Sequence, residues 1–127
     1  MSMRLHELRL SGTCDSDGAL TVAHDAPVNG WLEAVEWIDG DFANGVDAVI
    51  SAYSTGSAVD NTLLTLTNAD DDAWYYPRAL VHSEAGAALT GSSGGDRALP
   101  MINGVPRLVV SSGGDKKTGG CILYWWE

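Results

Sequence analysis

Hydrophobic and polar residues alternate along much of this chain of 127 residues. The clearest example is residues 64–67, where two leucines alternate with two threonines and predict a strand with one buried face. A polar turn follows at 68–72, where Asn and Asp side chains can hydrogen-bond the local backbone. Similar short runs recur, and the predicted strands cover residues 5–10, 20–24, 31–38, 46–53, 62–67, 74–81, 107–110 and 121–126.

Turn signals built from Gly, Asn and Asp separate these runs at short intervals. They are Asp17-Gly18, Asn29-Gly30, Asp39-Gly40, Asn44-Gly45, Gly94-Gly95-Asp96, Asn103-Gly104, Gly113-Gly114-Asp115 and Gly119-Gly120. Short strands punctuated in this way are typical of sandwiches and barrels. We therefore predict an all-β fold: a single antiparallel β-sandwich or jelly-roll-like domain over residues 1–127, with residues 1–25 as a candidate for a partly extended N-terminal arm.

Residues 31–38 carry a competing helical signal. Glu33 and Glu36 stand three apart, but the flanking turn signals leave room for only about eight residues. The apolar positions fit neither period cleanly, while short length and aromatic content favour a strand. The predicted core comprises Leu8, Leu10, Val22, Leu32, Val35, Ile50, Leu64, Leu66, Leu89, Val109, Ile122 and Tyr124.

The charge balance narrows the classes of partner. Asp and Glu number 17 against 7 Lys and Arg, which gives a formal charge of −10. Such a surface is repelled by phosphate backbones and by anionic membranes, so we expect neither a nucleic-acid partner nor a membrane. No run approaches the roughly 20 apolar residues of a membrane span, and the N-terminus lacks a secretory pattern, which predicts synthesis in a cytoplasm.

Two cysteines, Cys14 and Cys121, lie far apart in the sequence. Terminal strands often pair in β-sandwiches, so a disulfide between them is one alternative. A reducing compartment favours two free thiols instead.

The polar residues do not form a convincing catalytic or metal-binding pattern. Asp15-Ser-Asp-Gly18 resembles the start of a calcium loop but lacks the distant Glu, and the three consecutive Asp at 70–72 cannot all face one ion. His6, His24 and His82 have no zinc spacing. The chain has no Gly-x-Ser-x-Gly elbow, which leaves a triad built on His24-Asp25 without support. We expect a protein that is not an enzyme, with no catalytic residues, metal or cofactor.

A Ser-Ser-Gly-Gly-Asp segment occurs twice, at 92–96 and 111–115. Neither copy has the Gly-x-x-x-x-Gly-Lys-Ser/Thr pattern of a phosphate-binding loop. Two copies do not make a solenoid repeat, and we interpret them as flexible hairpin or rim loops.

Consecutive aromatic residues give the clearest functional clue. In an extended chain Trp74 and Tyr76 share one face and Tyr75 the other, and the adjacent Trp125 and Trp126 must also point in opposite directions. These rings lie in strands covered on both faces, or have one ring on a solvated face, or serve as anchors of a subunit or partner interface, where Trp, Tyr and Arg concentrate. Arg78 should share the face of Trp74 unless Pro77 bends the strand, and its expected acidic partner is Asp70–72 of the same chain or of a neighbouring subunit. The interface residues we predict are Trp74, Tyr75, Tyr76, Arg78, Trp125 and Trp126.

Several segments resemble small structural proteins of tailed bacteriophages. They are Asn29-Gly-Trp-Leu-Glu-Ala34, the block from Leu64 to Arg78 that ends in Trp-Tyr-Tyr-Pro-Arg, and Val81-His82 with Gly86-Ala-Ala-Leu89. The closing segments 104–110 and 119–124 are similar to the same group, which is identified with capsid decoration, or cement, proteins. The likeness covers most of residues 28–126.

The resemblance implies an all-β protomer that assembles into trimers or dimers and binds the major capsid protein on the outer capsid lattice. We therefore expect a virion structural protein, made in the host cytoplasm, that decorates and stabilises the head as a homo-oligomer, with a trimer favoured. One alternative is a head–tail joining or tail component. Another is a carbohydrate-binding module on the virion surface, because exposed aromatic rings stack on sugars.

Overall fold

The structure is a computed structural model that describes residues 3–54, 60–80, 85–86 and 97–127. Over these ranges the chain forms strands and contains no helix, so none is long and apolar enough to cross a membrane. The strands are β1 (Leu5–Thr13), β2 (Leu20–Ala23), β3 (Val28–Ile38), β4 (Asp47–Tyr53), β5 (Asn61–Leu66), β6 (Ala73–Tyr75), β7 (Ala79–Leu80), β8 (Arg97–Ala98), β9 (Met101–Ser111) and β10 (Thr118–Trp126). The all-β prediction is confirmed.

The strands form two antiparallel layers that we call sheet A and sheet B. Sheet A has the order β1-β10-β3-β6, and sheet B has the order β2-β9-β4-β5. Residues 28–31 of β3 pair with residues 101–104 of β9, which joins the two layers at one corner. The short β7–β8 pair lies outside both sheets. Residues 1–25, the candidate arm, supply β1 at the edge of sheet A and β2 at the edge of sheet B.

The predicted turns at Asn29-Gly30 and Asn103-Gly104 lie within the paired strands at this corner. Asn29 pairs with Asn103, so the two Asn-Gly signals face each other within β3 and β9. A Cβ atom on Gly30 would collide with the backbone carbonyl of Trp126, and one on Gly104 would collide with that of Tyr53. Glycine is therefore needed here for close approach of the backbones and not for a hairpin. The prediction of turns at both positions is wrong.

The core lies between the inner faces of the two sheets. Trp37 is fully buried and its Nε1 donates a hydrogen bond of 2.9 Å to the carbonyl of Ala69. Of the predicted core residues, Leu10, Leu32, Val35, Ile50 and Leu66 are buried, and Leu8, Val22 and Leu64 pack against the core while partly exposed. Leu89, Val81 and the loop at 92–96 lie outside the described residues.

Three predicted core residues were assigned to the wrong face. In β10 the buried side chains are Cys121, Leu123 and Trp125, so Ile122 and Tyr124 point away from the core. Val109 of β9 lies between buried Leu108 and Val110 and also points outward. Both faces of these strands carry apolar residues, and alternation alone does not say which set is buried.

Backbone hydrogen bonds hold the loop at 111–115 in place. The amide of Gly113 donates to the carbonyl of Gly18 at 2.9 Å, and the amide of Ala43 donates to the carbonyl of Gly113 at 2.9 Å. Gly113 is buried against Cys14. The interpretation of this segment as a flexible rim loop is wrong, because three separate segments of the chain meet there.

The two cysteines are free and buried. Burial raises the pKa of the Cys121 thiol to about 12. Burial also raises the pKa of Cys14, and the carboxylates of Asp15 and Asp41 add to the effect. The alternative of a disulfide is not realised in this structure.

Candidate interaction surface

Exposed apolar side chains are concentrated on the outer face of sheet A. Among the large hydrophobic residues that are at least about a third exposed, Met3, Leu5, Trp31, Trp74 and Met101 lie on or beside this face. Tyr76 follows β6, and Val49 lies on sheet B. Isolated exposed apolar residues are ordinary, but a contiguous set marks an interaction site.

Strand register turns four of these apolar residues into a continuous row. Leu5 of β1 pairs with Trp126 of β10, Trp126 with Trp31 of β3, and Trp31 with Met101 of β9. Leu5, Trp31 and Met101 are each about half exposed. A groove of about 320 Å³ runs along this end of the sheet, and its walls include Met3. We call Leu5, Trp126, Trp31 and Met101 the apolar row.

A second aromatic group lies on the same face. The ring of Trp74 stacks on Tyr124 with centroids 5.2 Å apart, and Trp74 remains half exposed. The Tyr124 hydroxyl donates a hydrogen bond of 3.0 Å to Glu36 Oε1. Partial burial and this hydrogen bond raise the pKa of Tyr124. The hydroxyl of Tyr124 is thus held by Glu36 of β3, which fixes the position of the stacked ring.

A β-bulge in β3 shapes the region between these two groups. Trp125 pairs with Leu32 while the preceding Tyr124 pairs with Ala34, so Glu33 is the extra residue. A bulge leaves its extra residue outside the ladder and needs other partners for its polar groups. Arg78 provides them: its Nη1 donates to the Glu33 carbonyl at 3.0 Å and its Nη2 to Glu33 Oε2 at 2.7 Å.

The prediction that Arg78 pairs with the acidic turn of its own chain is therefore wrong. Arg78 pairs with Glu33 and not with the acidic turn at 70–72. In that turn Asp70 Oδ1 accepts from the amide of Gly45 at 2.7 Å, and Asp72 Oδ1 accepts from the amide of Asp39 at 2.8 Å. These carboxylates are occupied by amides of other loops, so they hold the acidic turn against the segments at residues 39 and 45.

The structure separates the predicted interface residues into two groups. Trp74, Tyr76 and Trp126 are exposed or half exposed, as the alternation predicts. Tyr75 packs against the core, and Trp125 is buried, stacked on His6 at 5.5 Å. Arg78 is half-buried against Glu33.

Sequence reasoning missed Leu5, Trp31 and Met101. Each is a single apolar residue in a different strand, so no local run signals it. Only the register across β1, β10, β3 and β9 brings them into one row, and that register depends on long-range pairing.

The outer face of sheet B has a different character. Its central row pairs Thr21 with Val109, Val109 with Val49, and Val49 with Thr65. Nearby, Arg107 forms an ion pair with Asp60 and lies 4.6 Å from the ring centroid of Tyr53. Threonine, valine and a paired arginine suit a solvated strand surface. Among the described residues, the large exposed apolar side chains are therefore concentrated on sheet A.

Candidate metal and hydrolytic groups do not converge in the part of the chain that the structure describes. No group of three or more His, Cys, Asp or Glu side chains there is placed to hold a metal ion. Asp15 Oδ1 accepts from the amides of Asp17 and Ala19, which closes the turn that resembled a calcium loop. His24 Nδ1 lies 3.5 Å from Asp25, whose side chain is 94% exposed.

Comparisons of the chain with protein-family models, curated proteins and solved structures found no match.

Proposed function

We propose that the protein is a virion structural protein of a tailed bacteriophage that binds the outer capsid surface and stabilises the head. The observation that carries this proposal is the apolar row on sheet A, together with the stacked pair Trp74 and Tyr124 on the same face. The segments that resemble capsid decoration proteins include Trp31 and Trp74 themselves, so the sequence likeness and the exposed face share residues.

The side chains of this face suit a protein partner. Trp, Tyr and Met are enriched at the cores of protein interfaces, where they bury large areas. Trp31 presents a flat apolar ring. Met101 presents a flexible apolar side chain, which can adapt to an irregular partner surface. Burying such side chains on association is favourable by roughly 25 cal/mol per Å² of apolar surface.

The support beneath the face favours tight contact as well. Trp126 is held from below, because its Nε1 donates to Glu33 Oε1 at 3.4 Å and Arg78 holds the same carboxylate. Side chains that are already ordered lose less conformational entropy when a partner covers them. A face of this kind binds with little rearrangement.

A capsid offers the same partner surface many times. When an oligomer binds at several points, each further contact is intramolecular, so weak single contacts give strong overall binding. A ligand that binds only the assembled lattice stabilises that lattice by mass action. The major capsid protein is the proposed partner, and the outer face of sheet B, with its threonines and paired Arg107, is the proposed solvent side.

The decisive experiment locates the protein in purified virions by cryo-electron microscopy. Density over the whole head surface, with sheet A facing the major capsid protein, is the expected result. Absence from the particle overturns the proposal. Density at a single vertex overturns it in favour of a head–tail joining or tail role, because such positions hold few copies.

A binding assay tests the assigned face directly. Capsids that lack the protein are mixed with wild type, Trp31→Ala and Met101→Ala, and the bound fraction is measured by co-sedimentation. Both variants should bind at least about tenfold more weakly, as for the central residues of an interface. Val49→Ala, an exposed apolar residue on sheet B, is the matched control and should bind like wild type.

Carbohydrate binding is a second candidate, favoured by the Trp74–Tyr124 stack beside Glu36. A half-exposed indole next to a carboxylate offers both a stacking platform and a hydrogen-bond acceptor for a sugar. Glycan-array binding that is lost in Trp74→Ala and kept in Trp31→Ala would support it. Binding to no glycan removes this candidate and leaves the capsid proposal unchanged.

A further inference from the structure

Strand β1 lies at the edge of sheet A, and among the described residues no strand pairs with the backbone groups on its outer side. Arg4 and Glu127 exchange two backbone hydrogen bonds, of 2.9 and 3.0 Å, and the amide of Cys14 donates to Lys117 at 2.8 Å. Even-numbered residues of β1 therefore point their N–H and C=O groups toward β10. The odd-numbered residues Leu5, Glu7, Arg9 and Ser11 point theirs away from the sheet.

Over the residues that the structure describes, the other three sheet edges are protected and no segment pairs with the outer side of β1. β6 has three residues and is followed by Pro77, and β2 has four residues. β5 pairs with β4 through a register shift opposite Ile50 and Ser51. β1 has nine residues, lacks proline, and keeps one register with β10 from end to end. Long regular edges pair with further strands unless something prevents it.

We propose that β1 pairs with β1 of a second copy of this chain, antiparallel about a twofold axis at Leu8. In this register Glu7 of one copy faces Arg9 of the other, and Leu5 faces Ser11. The pairs that can exchange hydrogen bonds consist of odd-numbered residues, whose backbone groups point outward, and even-numbered residues such as Leu8 form the non-hydrogen-bonded pairs between them. By symmetry each pairing occurs twice.

Charge selects this register over its neighbours. A twofold axis at Glu7 would place that residue against its own copy, and an axis at Arg9 would do the same for arginine. Like charges directly opposite destabilise a strand pair, whereas opposite charges stabilise it. Glu7 and Arg9 stand two apart on one face, so only the axis at Leu8 makes the edge self-complementary.

The pairing continues sheet A from one copy into the next. A twofold axis perpendicular to the sheet keeps the outer faces on the same side, so the two apolar rows lie on one surface. The inference does not rest on the capsid proposal. The dimer contact is made by the backbone of β1 and by Glu7 and Arg9, whatever the outer face binds. The inferred assembly is a dimer. The resemblance implies trimers or dimers, with a trimer as the favoured expectation.

Reversing the charge of Glu7 or Arg9, and exchanging the two charges, tests the proposed register. At physiological ionic strength wild type should sediment as a dimer at micromolar concentration. Glu7→Lys and Arg9→Glu should each raise the dissociation constant about tenfold or more, since both symmetric pairs become repulsive. The exchanged variant, Glu7→Arg with Arg9→Glu, should restore the dimer. Asp25→Lys makes the same change in net charge as Glu7→Lys, at a 94% exposed side chain, and should have little effect.

Cross-linking tests the axis. Leu8 faces its own copy in a non-hydrogen-bonded pair, where Cα atoms lie about 4.5 Å apart, a distance that a disulfide spans. Leu8→Cys should form a covalent dimer on mild oxidation, while Arg4→Cys, on the same strand face, should not. A wild type that sediments as a monomer overturns the inference. So does a dimer that Glu7→Lys weakens no more than Asp25→Lys.

The two proposals fail separately. The charge variants leave Trp31 and Met101 intact, so capsid binding per site is retained if only the dimer is lost. Val49→Ala and Trp31→Ala leave β1 intact, so their sedimentation should match that of wild type.

Discussion

Arg78 closes the bulge at Glu33 with two hydrogen bonds, one to the backbone carbonyl at 3.0 Å and one to the carboxylate at 2.7 Å. A third bond of 2.7 Å, from Nη1 to the carbonyl of Pro77, fixes the arginine to its own segment. The guanidinium therefore links the segment after β6 to the irregular part of β3. Its position makes it a stabilising residue of the fold beneath the aromatic face.

Arg78→Ala should lower the free energy of unfolding by about 1–2 kcal/mol, because a backbone carbonyl and a half-buried carboxylate lose their charged donor. Partial exposure of both side chains keeps the effect below that of a buried pair. Glu33→Ala should cost less, since it keeps the bond from Arg78 to the Glu33 carbonyl, although it also removes the weak 3.4 Å bond from Trp126 Nε1 to the carboxylate. Urea unfolding of both variants measures the difference, and a larger loss for Glu33→Ala would contradict the role assigned to the carbonyl bond.

Trp37→Phe should destabilise the protein by about 2–3 kcal/mol. The change leaves the Ala69 carbonyl without its buried donor and removes volume from a fully buried site. Trp31→Phe is the matched control, because that ring is half exposed and its loss should fall within about 0.5 kcal/mol. Thermal or urea unfolding monitored by circular dichroism separates the two. Similar losses in both would contradict the burial assigned to Trp37.

Cys14 and Cys121 should resist thiol reagents in the native protein and both react after unfolding without reductant. Burial keeps them protonated and inaccessible, with the Cys121 pKa raised to about 12. Between pH 9, where an unfolded thiol ionises, and about 12, the unfolded state loses a proton that the fold keeps, so stability falls as pH rises. Counting no reactive thiols in denaturant would demonstrate a disulfide.

Asp39→Asn should stabilise the protein at neutral pH. Burial first, and then the carboxylates of Asp70 and Asp72, raise the pKa of Asp39 above 3.8. Its Oδ1 has no hydrogen-bond partner among the described residues. A raised carboxyl pKa means that ionisation opposes folding, so wild-type stability rises as pH falls through the folded pKa toward 3.8.

The advantage of Asp39→Asn should therefore shrink at acid pH, and added salt should shrink it at neutral pH by screening the neighbouring aspartates. Unfolding measured at several pH values and salt concentrations checks both trends. An advantage that is the same at every pH would show that the charge of Asp39 is not its cause.

The strand content followed from the sequence, and β3 shows where local pattern stops being sufficient. Residues 31–38 fit neither period because the bulge at Glu33 shifts the phase: Leu32 and Val35 both point inward although they stand three apart. A strand with such a shift imitates a helical spacing over one turn. The bulge depends on pairing with β10, which is far away in the sequence.

The phase of β10 illustrates a second limit. Its two faces carry Cys121, Leu123 and Trp125 on one side and Ile122, Tyr124 and Trp126 on the other. The outward set is at least as apolar as the inward one, because the outward face of sheet A is itself apolar. Where a surface carries apolar residues, the rule that predicts burial from hydrophobicity no longer distinguishes core from exterior.

The pairing of β1 with β10 sets the order in which this protein can fold during synthesis. β1 is synthesised before the other described strands, yet its partner in sheet A is β10, more than a hundred residues later. Until β10 has been translated, both edges of β1 are unpaired, and β3 lacks the strand that separates it from β1. Closing so long a loop is slow, so the nascent chain carries exposed apolar strands for most of its synthesis. The acidic charge of the chain is then useful before folding as well as after it, since mutual repulsion keeps unfinished copies apart.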